Sequence, residues 1–311
     1  MSVENTRLVS WQGAAWQRLQ QTLSGPARDW LQASLGAIEN AGPDIEKTAL
    51  SVMQASSQRR RRLGEGELTL SLEVAATALC EARGERVIGY SVAELAYGLW
   101  AAKAMQVCDA SPRVFCETLF SYSDDNEKAA LLRSLYWLLE PAEAVGIAGQ
   151  VLRVNTVSLF ASLALNNPLP ARCLAEREFN QLALKSLFLG LNIGGMTDLA
   201  ARRNSELARM ADDYLHERRL AGRSIPPSIW LALDPAAPSA QTREVWLAAL
   251  AGDDEESRFG IYSALAAAAA EGRDSDPLIS AAAARRGADE QHPALRSVVQ
   301  EMQPAGIHRL T

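Results

Sequence analysis

The chain has 311 residues, 48% of them hydrophobic, which is enough to bury a large core without disulfide bonds. Its formal net charge is −6 at pH 7, whereas a nucleic-acid-binding surface normally carries a basic excess, so the composition argues against nucleic acid as a partner. The four cysteines form neither a CxxC pair nor a zinc-like spacing, and we expect reduced thiols in a cytoplasmic protein.

The sequence also lacks the long apolar segments of secreted and membrane proteins. No run reaches the ~18 to 20 apolar residues that cross a bilayer. The N-terminus carries Glu4 and Arg7 early and has no continuous apolar segment, which argues against an ordinary secretory signal. We therefore expect no transmembrane segment.

Apolar residues recur at intervals of three and four along almost the whole chain, which is typical of amphipathic helices. In DNEKAALLRSLYWLLEP, Asp125 or Asn126 can cap a helix, Leu132 and Leu135 keep the spacing, and Pro141 follows the end. In chain order, the same pattern predicts further helices at 11–23, 27–40, 45–60, 72–81, 92–105, 112–120, 142–153, 156–165, 176–189, 205–221, 243–250, 255–271, 277–286 and 293–302.

Alternating β patterns are scarce. The best is ELTLSLE at 67–73, for which the sequence shows no obvious partner strand. We predict an all-α fold without significant sheet, built as an antiparallel helical array because the connections are short. HEAT-like stacking into an α-α superhelix is one form of such an array, although no repeat of fixed period is visible.

The composition changes at DPAAPSA, residues 234–240, where proline and alanine crowd between helical regions. We place a domain boundary there. It separates an all-helical domain at 1–234 from an Ala-rich C-terminal helical appendage at 235–311.

The segment DDYLHERRLAGR, residues 212–223, concentrates ionisable side chains. It is not the HExxH motif of zinc proteases, because Leu220 stands where the second histidine would be. One interpretation is the solvated face of a helix, with a surface ion pair between Arg209 and Asp213 and with Arg218 near the helix C-terminus.

The other interpretation is a functional site on this helix. Asp212 lies four residues before His216 and can orient its imidazole. Asp213 and Glu217, also four apart, are like charges on one face whose pKa values could be driven apart for acid and base chemistry.

Residues 166–196 hold a second group of candidates. Asn180 falls on the apolar side of its helix, where its amide needs partners, either as a clamp on a loop or as a ligand contact. Lys185 is the only charged residue between Phe179 and Thr197. It is either a desolvated lysine of lowered pKa or a side chain that extends along the polar edge of the helix.

The remaining motifs limit the kinds of binding and catalytic site that we expect in the chain. The basic block Arg59–Arg62 either complements a helix C-terminus or contacts phosphate or an anionic lipid surface. There is no GxGxxG, GxxxxGK[ST] or GxSxG motif, and three dispersed histidines offer no three-histidine metal site. We expect neither a metal nor a cofactor.

Several blocks together resemble the EboA family of helical proteins encoded in bacterial ebo metabolite-traffic operons. These are RVNTVSLFASLALNNPLP, EFNQLALKSLFLG and RRNSELARMADDYLHERRLAGRSIPPSIW, with the strongest match over 153–230 and a looser one back to about residue 50. The family pattern has threonine where Val154 stands, aromatics where Leu169 and Phe179 stand (tyrosine and tryptophan), and proline where Ser205 stands. Its Tyr-x-His-Glu-Arg segment and the following Ala-Gly-Arg are kept from Tyr214 to Arg223.

The resemblance implies a place in secondary-metabolite processing, in which a precursor moves from the cytoplasm toward the periplasm. It also implies operon-encoded partners, a UbiA-type membrane prenyltransferase and TIM-barrel proteins. We expect a cytoplasmic binding or accessory protein that reaches the inner membrane through a partner. Two alternatives stay open, a helical enzyme that uses His216 with Asp213 or Glu217, and a protein–protein scaffold.

The resemblance transfers no catalytic residue. The candidates for binding a small metabolite are therefore the polar side chains of the middle of the chain, if they converge in one cleft. They are Asn155, Asn167, Asn180, Lys185, Arg209, Asp213, His216, Glu217 and Arg218.

Overall fold

The computed structural model describes residues 3–64, 66–72 and 86–302, and these residues are almost entirely helical. Contacts divide the chain into two compact units, Met1–Leu174 and Ala175–Thr311. The described part of the first unit contains α1 (Val3–Thr22), α2 (Gly25–Glu39), α3 (Ile45–Leu63), β1 (Glu67–Leu72), β2 (Arg86–Ser91), α4 (Val92–Val107), α5 (Pro112–Tyr122), α6 (Asp125–Leu138), α7 (Pro141–Val151), α8 (Val157–Ala164) and α9 (Leu169–Cys173).

The second unit contains α10 (Glu176–Phe188), α11 (Leu199–Arg202), α12 (Ser205–Leu220), α13 (Ala240–Ala251), α14 (Glu255–Ala270), α15 (Pro277–Ala288) and α16 (Pro293–Met302). Two 3₁₀ helices, Ile193–Gly195 and Pro227–Leu231, were not predicted. The prediction of an all-α fold is confirmed. HEAT-like stacking stays a prediction.

Local capping explains why the helices start where the sequence pattern places them. Ser91 and Glu94 form a capping box at α4, and Asp124 and Glu127 form another at α6. Asp44 accepts a hydrogen bond from the Lys47 backbone N–H at the start of α3. Each cap satisfies amides that the first helical turn leaves without partners.

In the described part of the first unit, a two-stranded hairpin interrupts the helices. β1 pairs with β2 in antiparallel register, from Glu67 opposite Ser91 to Leu72 opposite Arg86. The expectation that 67–73 has no partner is therefore wrong, because RVIGYS is short, is interrupted by Gly89 and runs directly into the cap of α4. The predicted helix at 72–81 begins within β1 at Leu72, and its residues 73–81 lie outside the described residues.

The core of the first unit surrounds α4, which is buried on most sides. Tyr97 and Trp100 are fully buried there, and the Trp100 indole donates to Ser34 Oγ on α2 at 2.8 Å. A Cβ added to Gly98 would overlap Ser134 Oγ on α6 and would lie 2.7 Å from Trp11 on α1. The absence of a side chain at position 98 thus allows three helices to approach closely.

The second unit packs around a pair of tryptophans. The Trp230 and Trp246 rings lie 5.2 Å apart in an edge-to-face arrangement, and both are buried. A Cβ at Gly260 on α14 would lie 2.5 Å from the Pro227 carbonyl oxygen, so only glycine fits this approach. A buried ion pair between Arg258 and Glu290 (2.6 Å) connects α14 to the segment before α16.

The division at Leu174 differs from the boundary that the composition predicts at 234, which stays a prediction. Several contacts cross residue 234 within the second unit. Arg273 donates to Asp234 at 3.0 Å, and Arg203 pairs with Glu271 at 3.3 Å. None of the described helices combines the length and apolarity that crossing a membrane requires.

Candidate functional site

Most sequence-predicted candidates lie on α12, the helix that carries the charged segment. Asn204 starts this helix, since its Oδ1 accepts from the Leu207 backbone N–H at 2.9 Å. Leu207, Ala211 and Leu215 are buried, with Tyr214 beside them. These apolar residues fix which charged side chains face solvent and which face the rest of the second unit.

Arg209 and Asp213 form an exposed ion pair on the outer side of α12. The guanidinium contacts Asp213 at 2.6 Å and Glu206 at 2.7 Å. Hydrogen bonds with Glu206 raise the pKa of Arg209, and the same contacts lower the pKa of Glu206. The Asp213 side chain is 69% exposed, and the structure does not bring it to His216. This geometry matches the interpretation of a solvated helix face.

His216 belongs to a compact polar network, here called the Thr242 network and formed by Asp212, His216, Ser239 and Thr242. The Thr242 hydroxyl oxygen lies 2.6 Å from Asp212 Oδ1, 3.0 Å from His216 Nε2 and 2.7 Å from Ser239 Oγ. Thr242 is 2% exposed, and Ser239 also caps α13 by accepting from the Thr242 backbone N–H. The network therefore joins α12 to the start of α13.

The chemistry of the groups fixes the direction of these hydrogen bonds. An ionised carboxylate only accepts, so the single hydroxyl proton of Thr242 points to Asp212. With its proton used there, the Thr242 oxygen can only accept in its contacts with Ser239 Oγ and His216 Nε2. The Thr242 proton therefore points to Asp212 rather than to His216.

A cleft of about 290 Å³ opens beside this network. It lies between the first half of α12 and the loop that leads into α13. Its lining residues are Ser205, Ala208, Arg209, Asp212, Leu233, Asp234, Ala237, Pro238, Ser239 and Thr242. The volume is at the lower end of the range for small-molecule pockets. We call it the α12 cleft.

Two of the asparagine candidates hold other parts of the chain in place. Asn180 on α10 and Asn204 exchange two amide hydrogen bonds of 3.0 and 2.9 Å. Asn167 donates to the Leu132 and Ser162 carbonyls and accepts from the Leu169 backbone N–H, within the first unit. Of the two interpretations for Asn180, the contacts are those of a clamp.

Of the nine sequence-predicted candidates, only Arg209 lines the α12 cleft. Asn155 is exposed in the loop between α7 and α8 of the first unit, and Lys185 is half-buried on α10. Glu217 is exposed on α12. Arg218 donates to the Tyr214 hydroxyl at 3.0 Å and to the Ser224 carbonyl, so it ties the end of α12 to the following loop. A ligand-binding role for these residues stays a prediction.

Sequence reasoning assigned a candidate role to His216 but did not include Ser239 and Thr242. The spacing of four residues on one helix made the Asp212–His216 contact visible, and the two side chains lie 3.6 Å apart. No comparable signal points to Thr242, because it follows His216 by 26 residues and lies beyond the predicted boundary.

The basic block borders a second cleft, in the first unit. Arg59 and Arg60 line this space of about 390 Å³ together with Glu67, Glu94 and Asn126. Arg59 is buried and contacts Glu127 at 3.4 Å, so one arginine of the basic block forms an ion pair in the interior of the first unit. Within the described ranges, no group of three or more histidine, cysteine, aspartate or glutamate side chains could hold a metal ion.

A model of a known protein family matches most of the chain. The family model described as metabolite traffic protein EboA matches residues 14–234, which include all of α12 and end at Asp234. No curated protein and no solved structure matches the chain.

Proposed function

Because the chain belongs to the EboA family of metabolite traffic proteins, we propose that it binds a small metabolite in the α12 cleft and acts as a binding or accessory protein. The supporting observation is that α12 lies within the family-matched segment and lines this cleft, with the Thr242 network at its wall. Apolar walls and a few convergent polar groups are typical of small-molecule sites.

We also propose a place for the protein in its pathway. It is a cytoplasmic component of secondary-metabolite processing, and it passes a precursor toward the periplasm. Its partners are operon-encoded proteins, a UbiA-type membrane prenyltransferase and TIM-barrel proteins, and the prenyltransferase brings it to the inner membrane.

A cleft-filling variant tests the binding site. The protein is expressed together with its operon partners and is analysed by native mass spectrometry for a bound small molecule. We expect an adduct on the wild type and a loss of at least about tenfold in its occupancy in Ala208→Phe, because the ring occupies the space that the ligand needs.

The control is Ala251→Phe, which adds the same ring at an exposed position on α13 that does not line the cleft. This variant should keep the adduct. An adduct that persists in Ala208→Phe, or a wild type that carries none, would show that the α12 cleft is not the binding site.

Exposed apolar side chains favour the scaffold as a second function. Leu220 at the end of α12 is 86% exposed. Phe188 at the end of α10 is 55% exposed, and its ring centroid lies 4.3 Å from that of Tyr214 in a tilted arrangement. Such side chains are common at protein contacts. Co-purification of operon partners with Leu220→Ser and Phe188→Ser, compared with wild type, separates this function from ligand binding, since neither residue lines the cleft.

A further inference from the structure

The ionised side chains of the α12 cleft differ in how their charge is compensated. Three of its lining residues are ionisable, namely Arg209, Asp212 and Asp234. Arg209 is bound by two carboxylates that do not line the cleft, Glu206 and Asp213. Asp234 is paired with Arg273 at 3.0 Å. Asp212 contacts the hydroxyl of Thr242 and the imidazole of His216, and no described arginine or lysine pairs with it.

The surroundings leave the cleft with an excess of negative charge. Arg209 carries one positive charge against the two carboxylates that bind it. The N-terminus of α13 adds only about half a positive charge near Thr242, which is less than the full charge of Asp212. Apolar walls formed by Ala208, Leu233 and Pro238 reduce the screening of this charge by water. A cationic group therefore fits the cleft better than an anionic one.

The geometry of Asp212 narrows the type of cation. Its Oδ1 accepts from Thr242 at 2.6 Å and lies 3.6 Å from His216 Nε2, whereas no described side chain contacts Oδ2, which is therefore the oxygen more open to a ligand. A planar guanidinium pairs best with both oxygens of a carboxylate, whereas an ammonium binds as a compact point charge to one. The hydroxyls of Ser205 and Ser239 line the same cleft and can accept or donate further hydrogen bonds.

We propose that the ligand of the α12 cleft is a small molecule with a protonated amine, and that this amine binds Asp212 while hydroxyl or similar polar groups of the ligand bind the serines. This inference rests on the proposed function and adds the chemical class of the ligand. The step is non-covalent, so no bond is made or broken.

Three probes of equal length and different charge test the proposal. They are 3-amino-1-propanol, 1,3-propanediol and 3-hydroxypropanoate, titrated at matched pH into the full chain. The reporter is the imidazole NMR signal of His216, which is readily assigned because the chain has only three histidines. We expect the amine to bind at least about tenfold more tightly than the diol, and the carboxylate to bind most weakly.

Two neighbouring aspartates supply the matched variants. Asp212→Asn keeps the shape of the side chain and removes its charge, so the preference for the amine over the diol should disappear. Asp213→Asn removes the same charge from the adjacent residue on the exposed face and should keep the preference, reduced only slightly by the long-range field.

Equal binding of amine and diol, preference for the carboxylate, a preference that survives Asp212→Asn, or no response of His216 to the amine would each overturn the assignment. These outcomes are distinct from a failure of the proposed function. If Ala208→Phe removes the operon-derived adduct while the amine preference is absent, the cleft is the binding site and the ligand class is wrong.

Discussion

Two consecutive aspartates on α12 show how one residue step changes the role of a carboxylate. Asp213 points to the outer side, where Arg209 binds it at 2.6 Å. Asp212 is only 31% exposed and accepts from the Thr242 hydroxyl within the second unit. Successive residues of a helix are rotated by about 100°, so neighbours in sequence face different surroundings. Both aspartates are visible in the sequence, but only the packing of α12 shows which of them faces solvent.

Thr242 is the centre of its network, and its hydroxyl is the first group to test. In Thr242→Val, the carboxylate of Asp212 and the imidazole Nε2 of His216 lose their common partner inside the fold. We expect the free energy of unfolding to fall by about 1–3 kcal/mol, as for other buried polar groups left without a partner. Urea unfolding followed by circular dichroism measures this change.

Thr242→Ser is the matched control because it keeps the hydroxyl and removes one methyl group. The free energy of unfolding of this variant should fall by ~0.8 kcal/mol, the contribution of one buried methylene. The His216 NMR signal should shift in the valine variant and stay near the wild-type position in the serine variant. Equal stability of the two variants would mean that the hydroxyl does not hold the network together.

At the scale of whole elements, the buried Arg258–Glu290 pair holds α14 to the segment between α15 and α16. Arg258 Nε and Nη2 donate to the two carboxylate oxygens at 2.6 and 3.2 Å, and the Tyr262 hydroxyl donates at 2.9 Å. Burial by itself raises the pKa of Glu290, but the hydrogen bonds from Arg258 and Tyr262 outweigh it and leave the pKa below its usual value.

This pair gives the stability of the second unit a defined pH dependence. The pKa of Glu290 is lower in the folded chain than in the unfolded chain. The stabilisation that its carboxylate contributes is therefore fully present above the unfolded pKa of about 4.3, and it is lost as the pH falls through the folded pKa. We expect Glu290→Gln to lower the free energy of unfolding by about 3 kcal/mol at pH 7, since it leaves Arg258 buried without a counter-charge. The difference from wild type should narrow as the pH is lowered below about 4.3.

Urea unfolding at several pH values measures the difference, with Glu301→Gln on the exposed side of α16 as the control. The control should stay within about 0.5 kcal/mol of wild type at each pH. A Glu290→Gln difference that does not depend on pH would contradict the assigned role of the carboxylate.

The elements also show which parts of the fold are readable from sequence. α3, α4 and α5 begin at the predicted residue because caps and prolines act within a few positions of the helix start. The partner of β1 was missed because pairing depends on a segment beyond an intervening stretch of chain, which short-range alternation does not reveal. The short helices α9 and α11 span too few residues to show a helical period.

At the scale of the molecule, the family match ends at Asp234, the same residue at which the composition changes. The contacts of the second unit continue past it. Trp246 packs against Trp230, Thr242 contacts His216, and Glu271 pairs with the buried side chain of Arg203 at 3.3 Å. Composition and family extent depend on sequence alone, whereas the side chains of 175–234 pack against and pair with these later residues.

Ending the chain after Asp234 tests whether the predicted domain at 1–234 folds without the C-terminal appendage. The truncation removes the packing partner of Trp230, the hydroxyl beside His216 and the counter-charge of Arg203. We expect the free energy of unfolding to fall by several kcal/mol, because the truncation exposes a large aromatic surface and leaves a buried charge unpaired. Hydrogen exchange should therefore become fast in α12, while a chain that ends at Met302 keeps the protection of the full-length protein. Full protection of α12 in the shorter chain would instead establish 1–234 as an independently folding domain, and the α12 cleft would then depend on residues outside that domain.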